Sequence, residues 1–367
     1  MRISAVIGFV FLFALGMVPA QSRRAPVFSE SGETEKKVAE KLESQTPKTS
    51  LQTSVQDDEV IRVETDLVVI PAQIADRRGN HVGDIRREEF KIYENGVEQE
   101  IAYFSNENQP FTVALVLDMS YSSVFKLTEI QAAAMAFVNQ LRENDRVLIV
   151  SFDEQVRVLC EPTDNRKVLR LAIEGAKIAS GTSLYTALDL VLGEKMREIS
   201  GRKAIVLLSD AVDTSSPKVS AADVLRQIVE TDVLIYPIQY DTYDDVQKSR
   251  KESAQVFYDE NDRPYAVEKP RVRGEREADY REAREFAGEL ANRTGGRVYR
   301  VSSTANLTRA FSNIADELRK IYSLGYYPNG ERQSGARYRL KVRVYRPDLV
   351  IRARNNYIPA KNRLSER

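Results

Sequence analysis

Oxygen-bearing side chains cluster at the end of one apolar run, where they could bind a hard cation. The run Thr112–Leu117 stops at Asp118, and Ser120 and Ser122 follow it. Carboxylate and hydroxyl oxygens suit Mg²⁺, which prefers octahedral oxygen coordination and usually keeps several waters. Asp and Ser also favour loops and helix caps, so a purely structural capping role is the alternative for these residues.

The cluster lies where a predicted strand passes into a predicted helix. The continuous apolar or β-branched run 112–117 predicts a strand covered on both faces, as in a parallel sheet. From Val124 the apolar residues follow the i, i+3, i+4, i+7 spacing of an amphipathic helix, predicted over about 124–143. The three polar residues therefore occupy a loop at the carboxyl end of a strand, where open α/β sheets bind ligands.

Two further loops bring oxygen-bearing side chains to the same edge of the sheet. Thr182 directly precedes a helix predicted over 184–199, and Asp210 directly follows the apolar strand 204–209. Repeated alternation of strands and helices predicts a doubly wound, mainly parallel, Rossmann-like α/β sheet. The other predicted strands are 147–152, 156–160 (an antiparallel edge), 233–240 and 297–301, and the other helices are 166–177, 220–230, 278–291 and 307–322.

These loops resemble the metal ion-dependent adhesion site of the von Willebrand factor type A family. The family's first loop reads Asp-x-Ser-x-Ser, and this chain has Asp118-Met-Ser120-Tyr-Ser122. Thr182 and Asp210 match the Thr and the Asp of the second and third loops. The resemblance implies that Ser120 and Ser122 coordinate Mg²⁺ directly and that Thr182 binds directly or through water. Asp118 and Asp210 would anchor hydroxyls and waters, and Mn²⁺ or Ca²⁺ are the alternative ions.

The resemblance covers roughly residues 109–322, with flanks like those of a bacterial secreted branch of the family. One residue departs from the pattern, because the family commonly has Gly after the third-loop Asp and this chain has Ala211. Since Ala does not share the backbone freedom of Gly, we expect this loop to be reshaped. Asp213 is interpreted either as a further partner of the site or as a helix cap.

The amino-terminal segment predicts export. A basic residue at position 2 precedes the apolar stretch 3–17, and Val18-Pro-Ala20 ends it before Gln21. This pattern indicates a signal peptide over 1–20 with cleavage after Ala20. The alternative is an uncleaved anchor, since the stretch through Ala20 reaches the length of about 18 residues at which a spanning helix is considered. We expect a secreted, periplasmic or cell-envelope protein with no integral membrane domain besides this segment.

Composition narrows the possible classes of site. Lys and Arg number 54 and balance 54 Asp and Glu, so the charge gives no reason to expect a nucleic-acid partner. Cys160 is the only cysteine, which excludes an intramolecular disulfide and a cysteine-cluster metal site. His81 is the only histidine, which nearly excludes Ser–His hydrolase mechanisms and His-rich metal sites.

Segments on either side of the α/β core predict other units. Residues 21–58 are rich in Ser, Glu, Lys and Gln, which predicts a disordered linker. Residues 59–108 predict a small β accessory unit with a hairpin turn at Asn95-Gly96. Residues 325–358 return to a period of two and predict strands that pack on this unit, making it β-sandwich-like, before a tail at 359–367.

Two charged stretches carry no motif of their own. The α/β domain, predicted over 109–324, contains a charged insertion at 241–277 whose role the sequence leaves open. Arg and Lys alternate along 338–345 and share one strand face, which we interpret as a solvated face rather than a polyanion site.

The sequence thus predicts a protein-binding module for adhesion or assembly and no enzyme. Its partner would be a protein that contributes an Asp or Glu to the metal. One alternative is a structural module whose metal is absent or only stabilising. The other is a Mg²⁺-dependent phosphoryl hydrolase, which is disfavoured because Ser120 stands where phosphatases of the haloacid dehalogenase type carry a second Asp.

Overall fold

The computed structural model describes residues 67–359, apart from 80, 107–108, 121–126, 268, 330–332 and 334. The predicted signal peptide, the linker and Ser122 therefore lie outside the described residues. The helices are α1 (Leu127–Gln140), α2 (Arg166–Glu174), α3 (Leu184–Leu190), α4 (Ala221–Gln227), α5 (Tyr243–Glu252), α6 (Glu277–Thr294) and α7 (Thr304–Arg319). The strands are β1 (Val68–Asp76), β2 (Phe90–Glu94), β3 (Val97–Gln99), β4 (Tyr103–Ser105), β5 (Phe111–Asp118), β6 (Arg146–Phe152), β7 (Val156–Thr163), β8 (Arg202–Ser209), β9 (Leu234–Gln239), β10 (Gln255–Tyr258), β11 (Pro264–Val267), β12 (Tyr299–Arg300), β13 (Tyr322–Tyr326), β14 (Tyr338–Val344), β15 (Leu349–Ala353) and β16 (Asn356–Tyr357).

The central sheet has six strands in the order β12-β9-β8-β5-β6-β7. All its pairings are parallel except that of the edge strand β7 with β6. The chain starts in the middle at β5, extends the sheet through β6 and β7, and then returns to add β8, β9 and β12 on the other side. The strand order therefore reverses between β5 and β8, which is the position where open α/β sheets bind ligands.

Helices cover both faces of this sheet because β5 is apolar on both sides. Val113, Leu115 and Leu117 pack into a core cluster with residues of α1, α2 and α7. Ala114 and Val116 point to the other face, where α3, α4 and α6 form a second cluster. Each large side chain buried in this way stabilises the fold by about 1.5–3 kcal/mol. The doubly wound, mainly parallel sheet predicted from the sequence is confirmed.

Several helices end earlier than predicted: α1 ends at Gln140 and α2 at Glu174, against predicted ends at about 143 and 177. α3 ends at Leu190 and continues as a π-helical segment, Val191–Lys195, short of the predicted end at 199. α7 ends at Arg319, and Tyr322 begins β13 instead of completing the helix. β13 pairs with β1, and a local pattern cannot reveal a partner that lies about 250 residues earlier in the chain.

Two antiparallel sheets form the accessory part, with strand orders β15-β1-β13-β4 and β16-β14-β2-β3. Strands from before and after the α/β core alternate in the first sheet, and in the second sheet the pair β16-β14 from after the core joins the pair β2-β3 from before it. The apolar sides of both sheets share one core cluster that includes Ile70, Phe90 and Tyr326. The predicted hairpin turn is confirmed, since Asn95 and Gly96 have φ of 49° and 89° and connect β2 with β3.

The charged insertion contains α5 and a hairpin of β10 and β11. These two strands pair with each other in a separate two-stranded sheet. All four residues of β10 are exposed. Among the described helices, none combines the length and the apolar character needed to cross a bilayer.

Candidate metal site at the carboxyl edge of the sheet

Asp118 is the last residue of β5 and lies fully buried where the strand order reverses. Its Oδ1 accepts a hydrogen bond from the backbone amide of Ser120 at 3.0 Å. Its Oδ2 accepts a hydrogen bond from the hydroxyl of Ser209, the last residue of the neighbouring β8, at 2.6 Å. Burial raises the pKa of the Asp118 carboxyl, and the hydrogen bonds from Ser120 and Ser209 act in the opposite direction. Both of these partners are neutral.

The first loop is fixed to the second by backbone hydrogen bonds. The amide of Met119 donates to the carbonyl of Phe152 at the end of β6, at 2.8 Å, and the Met119 carbonyl accepts from Ala179 at 3.0 Å. Ser120 is buried and forms a parallel bridge with Ala179. Because residues 121–126 are outside the described part of the chain, the predicted role of Ser122 stays a prediction.

Thr182 joins the second loop to the third. Its amide donates to the hydroxyls of Thr214 and Ser215, at 3.0 and 3.2 Å. Its carbonyl accepts hydrogen bonds from the amides of the same two residues, at 2.9 and 3.0 Å. The Thr182 residue is buried, and its backbone is held on both sides by the loop that follows Asp210.

Asp210 is buried next to the end of β8 and is held by polar groups of two segments. Its Oδ1 accepts from the Val212 amide at 2.9 Å, and its Oδ2 accepts from the Thr242 hydroxyl at 2.7 Å. The Thr242 hydroxyl also lies 2.9 Å from the hydroxyl of Tyr280. Burial, followed by the charge of nearby Asp118, raises the pKa of Asp210 to about 7.

Ala211 adopts a left-handed backbone conformation, with φ of 66°. Its amide donates to the Ser209 hydroxyl at 2.9 Å, and this contact helps to hold the conformation. A left-handed residue with a Cβ costs about 1–2 kcal/mol. Ala211 thus adopts a glycine-like backbone conformation, contrary to our expectation that an Ala at this position would reshape the loop.

Asp213 caps α3, although it belongs to a different loop. Its Oδ2 accepts from the Tyr185 amide at 3.0 Å and from the Ser216 hydroxyl at 2.5 Å. The Ser216 hydroxyl in turn accepts from the amide of Thr186 at 3.0 Å. Of the two interpretations offered for Asp213, the structure supports the helix cap.

Three polar residues of this region were missed by the sequence analysis: Ser209, Thr242 and Tyr280. Ser209 was counted as the end of a strand, and the signal that could have identified it is its position beside Asp210. Thr242 comes shortly after β9 and therefore lies at the same carboxyl edge as the other loops. Tyr280 lies within α6, and nothing in its local sequence indicates a contact with Thr242.

The groups brought together here fit a hard divalent cation. Two carboxylates, Asp118 and Asp210, are buried close enough to influence each other, and their hydrogen bonds come from hydroxyls and amides. Among the described residues, no group of three or more His, Cys, Asp and Glu side chains could hold a metal ion. A cation at this edge would therefore depend on hydroxyls as well as carboxylates, as Mg²⁺ sites allow.

A protein-family model matches residues 113–212. It describes the von Willebrand factor type A domain. The resemblance found in the sequence is confirmed over these residues, which we call the type A segment. All five predicted site residues lie within the type A segment: Asp118, Ser120, Ser122, Thr182 and Asp210.

Other known proteins are similar to parts of the chain. An uncharacterized protein of Synechocystis sp. is 30% identical over 105 residues, which make up 28% of this chain and 25% of that protein. The chain thus spans about a quarter of the length of this curated relative.

Solved structures are similar at lower identity. A von Willebrand factor type A protein from Catenulispora acidiphila is 12% identical, with 81% of this chain and 74% of that chain covered and a TM-score of 0.42. Proximal thread matrix protein 1 from the mussel byssus, with a zinc-occupied MIDAS motif, is 12% identical, with 61% and 49% covered and a TM-score of 0.43.

Proposed function

We propose that the type A segment binds a partner protein through a divalent cation, Mg²⁺ or alternatively Mn²⁺ or Ca²⁺. Domains of this family typically mediate protein–protein interaction. Ser120, Ser122 and Thr182 would hold the ion, directly or through water for Thr182, and Asp118 and Asp210 would anchor hydroxyls and waters. The chain would act in adhesion or in the assembly of envelope or extracellular proteins, with no catalytic residue.

The observation that carries this proposal is the joining of three loops around two buried carboxylates. Ser209 connects Asp118 of the first loop to the third loop, and Thr182 connects the second loop to the third. Such cross-links keep oxygen ligands in position before the ion arrives, which lowers the entropy lost on binding.

The chemistry of the donors suits an acidic ligand from the partner. Hydroxyl ligands are neutral, so they would leave much of the charge of a divalent ion uncompensated, and an incoming Asp or Glu carboxylate is a strong oxygen ligand. A cavity of about 240 Å³ beside Asp210 is also lined by Asp241, Arg284 and Arg300, and Arg284 pairs with Asp241 at 3.2 Å.

Export forms part of the proposal. The signal-like residues 1–20 support secretion or a periplasmic or cell-envelope location, with cleavage after Ala20. An extracytoplasmic location suits a module that meets other secreted or envelope proteins.

Direct measurement of Mg²⁺ binding tests the metal site. Calorimetric titration of the chain from Gln21 onward should show Mg²⁺ binding that is lost in Asp118→Asn and weakened at least about tenfold in Thr182→Val. The matched control is Asp145→Asn, a buried carboxylate before β6 that accepts from the amides of Phe111 and Arg142. Equal Mg²⁺ affinity in all four proteins would overturn the metal site.

Capture of envelope and secreted proteins tests the partner. The same chain is immobilised in Mg²⁺ or in EDTA, beside Asp118→Asn. We expect one specific partner to be retained only by the wild type in Mg²⁺. A partner retained equally in EDTA and by the variant would show that protein binding uses another surface.

A further inference from the structure

The outer side of the second accessory sheet carries a line of cations. Arg339, Lys341 and Arg343 alternate along β14 and are exposed. The intervening Leu340 is buried in the accessory core. Residues two apart along a strand are separated by about 6.8 Å, so the three charges form a row on one face. We call Arg339, Lys341 and Arg343 the basic row.

The neighbouring strand β2 extends this surface. Its register sets Lys91 opposite Arg343 and Tyr93 opposite Lys341. The Arg343 guanidinium lies 5.4 Å from the centre of the Tyr93 ring. Lys91 differs from the basic row in having an acidic partner, because its side chain pairs with Glu98.

Within the described part of the chain, the basic row has no ion pair with a carboxylate. Like charges that are neighbours in a sheet repel each other. The whole chain has a formal net charge of zero, so an unpaired row is a local excess rather than a consequence of composition. An anionic ligand along the row would relieve the repulsion and gain charge-assisted hydrogen bonds.

A cleft beside the row offers groups of a second kind. Its volume is about 610 Å³, and besides the basic row it is lined by Tyr93, Asn95, Asn355 and Asn356. Amide side chains both donate and accept hydrogen bonds, which suits hydroxyl groups. The half-buried ring of Tyr93 contributes apolar surface with a polar tip, which suits the ring of a sugar.

The alternation of charges alone favoured a solvated face, but with the cleft beside it we propose that the basic row and its cleft bind a linear anionic polysaccharide. Carboxylate or sulfate groups along the polymer would contact Arg339, Lys341 and Arg343, and sugar hydroxyls would contact the asparagines of the cleft. A single row of cations fits one extended chain, and the amides favour a polymer with hydroxyls over polyphosphate. This surface is outside the type A segment, so its binding does not depend on the metal.

The test measures binding of heparin and polygalacturonate, as sulfated and carboxylated probes, to the chain from Gln21 onward in EDTA. Both should bind, and log affinity should fall linearly with log salt concentration. Neutral dextran should not bind. Polyphosphate and phosphatidylglycerol vesicles are run in parallel, and tighter binding of either than of both polysaccharides would overturn the polysaccharide assignment.

A pair of triple variants separates the basic row from general electrostatics. Arg339→Ser/Lys341→Ser/Arg343→Ser should weaken binding at least about tenfold and reduce the salt slope by about one for each cation removed. Lys248→Ser/Lys251→Ser/Arg263→Ser removes the same charge from exposed positions of the insertion and should change the affinity less than about twofold.

Thermal unfolding of both triple variants checks that they fold. Equal losses of affinity in the two variants, or an unchanged affinity in the first, would overturn the proposal. If the triple variant of the basic row does not fold, Lys341→Ser alone is measured instead, and it should still lower the salt slope by about one.

Discussion

Ser209 is the residue on which the first and third loops both depend. Its hydroxyl donates to the buried carboxylate of Asp118 and accepts from the amide of Ala211, which is in a left-handed conformation. Ser209 is itself buried, so water does not replace either contact. A single hydroxyl therefore couples the position of a carboxylate to the shape of a loop.

Replacing Ser209 by Ala should lower the free energy of unfolding by about 2 kcal/mol, because a buried carboxylate and a buried amide each lose a hydrogen bond. Urea unfolding without metal measures the change. Ser249→Ala, at an exposed position of α5, is the control and should shift the value by less than about 0.5 kcal/mol. An effect of Ser209→Ala as small as that of the control would contradict the coupling.

His81 should make stability depend on pH below neutrality. Burial, and then the charge of Lys320, lower the pKa of His81 from about 6.5 to about 4 in the folded chain. Between these two values the unfolded chain binds more protons than the folded one, so stability should fall as pH decreases from 6.5 to 4.

Unfolding free energies of the wild type and of His81→Gln, measured from pH 7.5 to 4, isolate this effect from the carboxylates. The wild type should lose more stability than the variant over this window. Parallel curves for the two proteins would show that His81 titrates normally in the folded state.

At the scale of elements, the turn before α3 holds the second loop against its neighbours. Gly181 has φ of 79°, and a Cβ at this position would lie 2.6 Å from the Ser215 hydroxyl and 3.2 Å from Cα of Glu154. Two separate constraints thus meet in one residue: the left-handed backbone and the close approach of two other loops.

Gly181→Ala should destabilise the chain by about 1 kcal/mol more than Gly201→Ala. Gly201 has a similar φ of 82° with no atom within 4 Å of a Cβ, so it reports the backbone strain alone. Gly181→Ala should also weaken Mg²⁺ binding, because Thr182 is the next residue. Equal unfolding free energies of the two variants would show that the neighbouring loops accommodate the added Cβ of residue 181 without loss of stability.

The hairpin of β10 and β11 is exposed, in contrast to the closely packed turn before α3. Val256, Phe257 and Tyr258 are exposed, and the two strands pair with each other in a sheet of their own. Two-stranded hairpins contribute little stability by themselves.

Replacing residues 255–267 by a short Gly-Ser linker should therefore change the unfolding free energy by less than about 1 kcal/mol, and it should raise solubility by removing exposed apolar side chains. Denaturant titration and a precipitation assay measure the two effects. A loss of several kcal/mol would mean that the hairpin supports the α/β core.

At the scale of the whole molecule, strands from both flanks complete each other's sheets. β1 pairs with β13 and β15, and β2 pairs with β14, so neither sheet can form from one flank. Contacts also reach the α/β core, where the Ile358 amide donates to the Val229 carbonyl and Arg354 donates to the Thr231 carbonyl.

A chain ending at residue 329 should lose the second accessory sheet, whose strands β14 and β16 are removed, and the edge strand β15 of the first, and it should keep the central sheet. Hydrogen exchange followed by mass spectrometry should show faster exchange in β1 and β2, which lose their partners β15 and β14, and unchanged protection in β5 and β8. Protected amides in β2 of the shortened chain would contradict the mutual completion of the flanks.

Local periodicity was enough to predict the elements that carry the site. The apolar run of β5 and the helical spacing after it are patterns of residues that are close together in the sequence. The same local patterns show that Asp118, Thr182 and Asp210 lie at the ends of elements. Their proposed metal binding remains a prediction, supported by the match of the type A segment.

Tertiary structure decided the contacts between segments that are distant in the sequence. Ser209 and Asp118 are 91 residues apart, and Thr242 and Asp210 are 32 apart, so no local pattern contains either pair. The same holds for Lys91 and Tyr93 beside the basic row, which are brought there by the register of β2 with β14. The local sequence determines which face of a strand a side chain occupies, but only long-range pairing selects the strand beside it, because the free energy of that pairing comes from contacts throughout the fold.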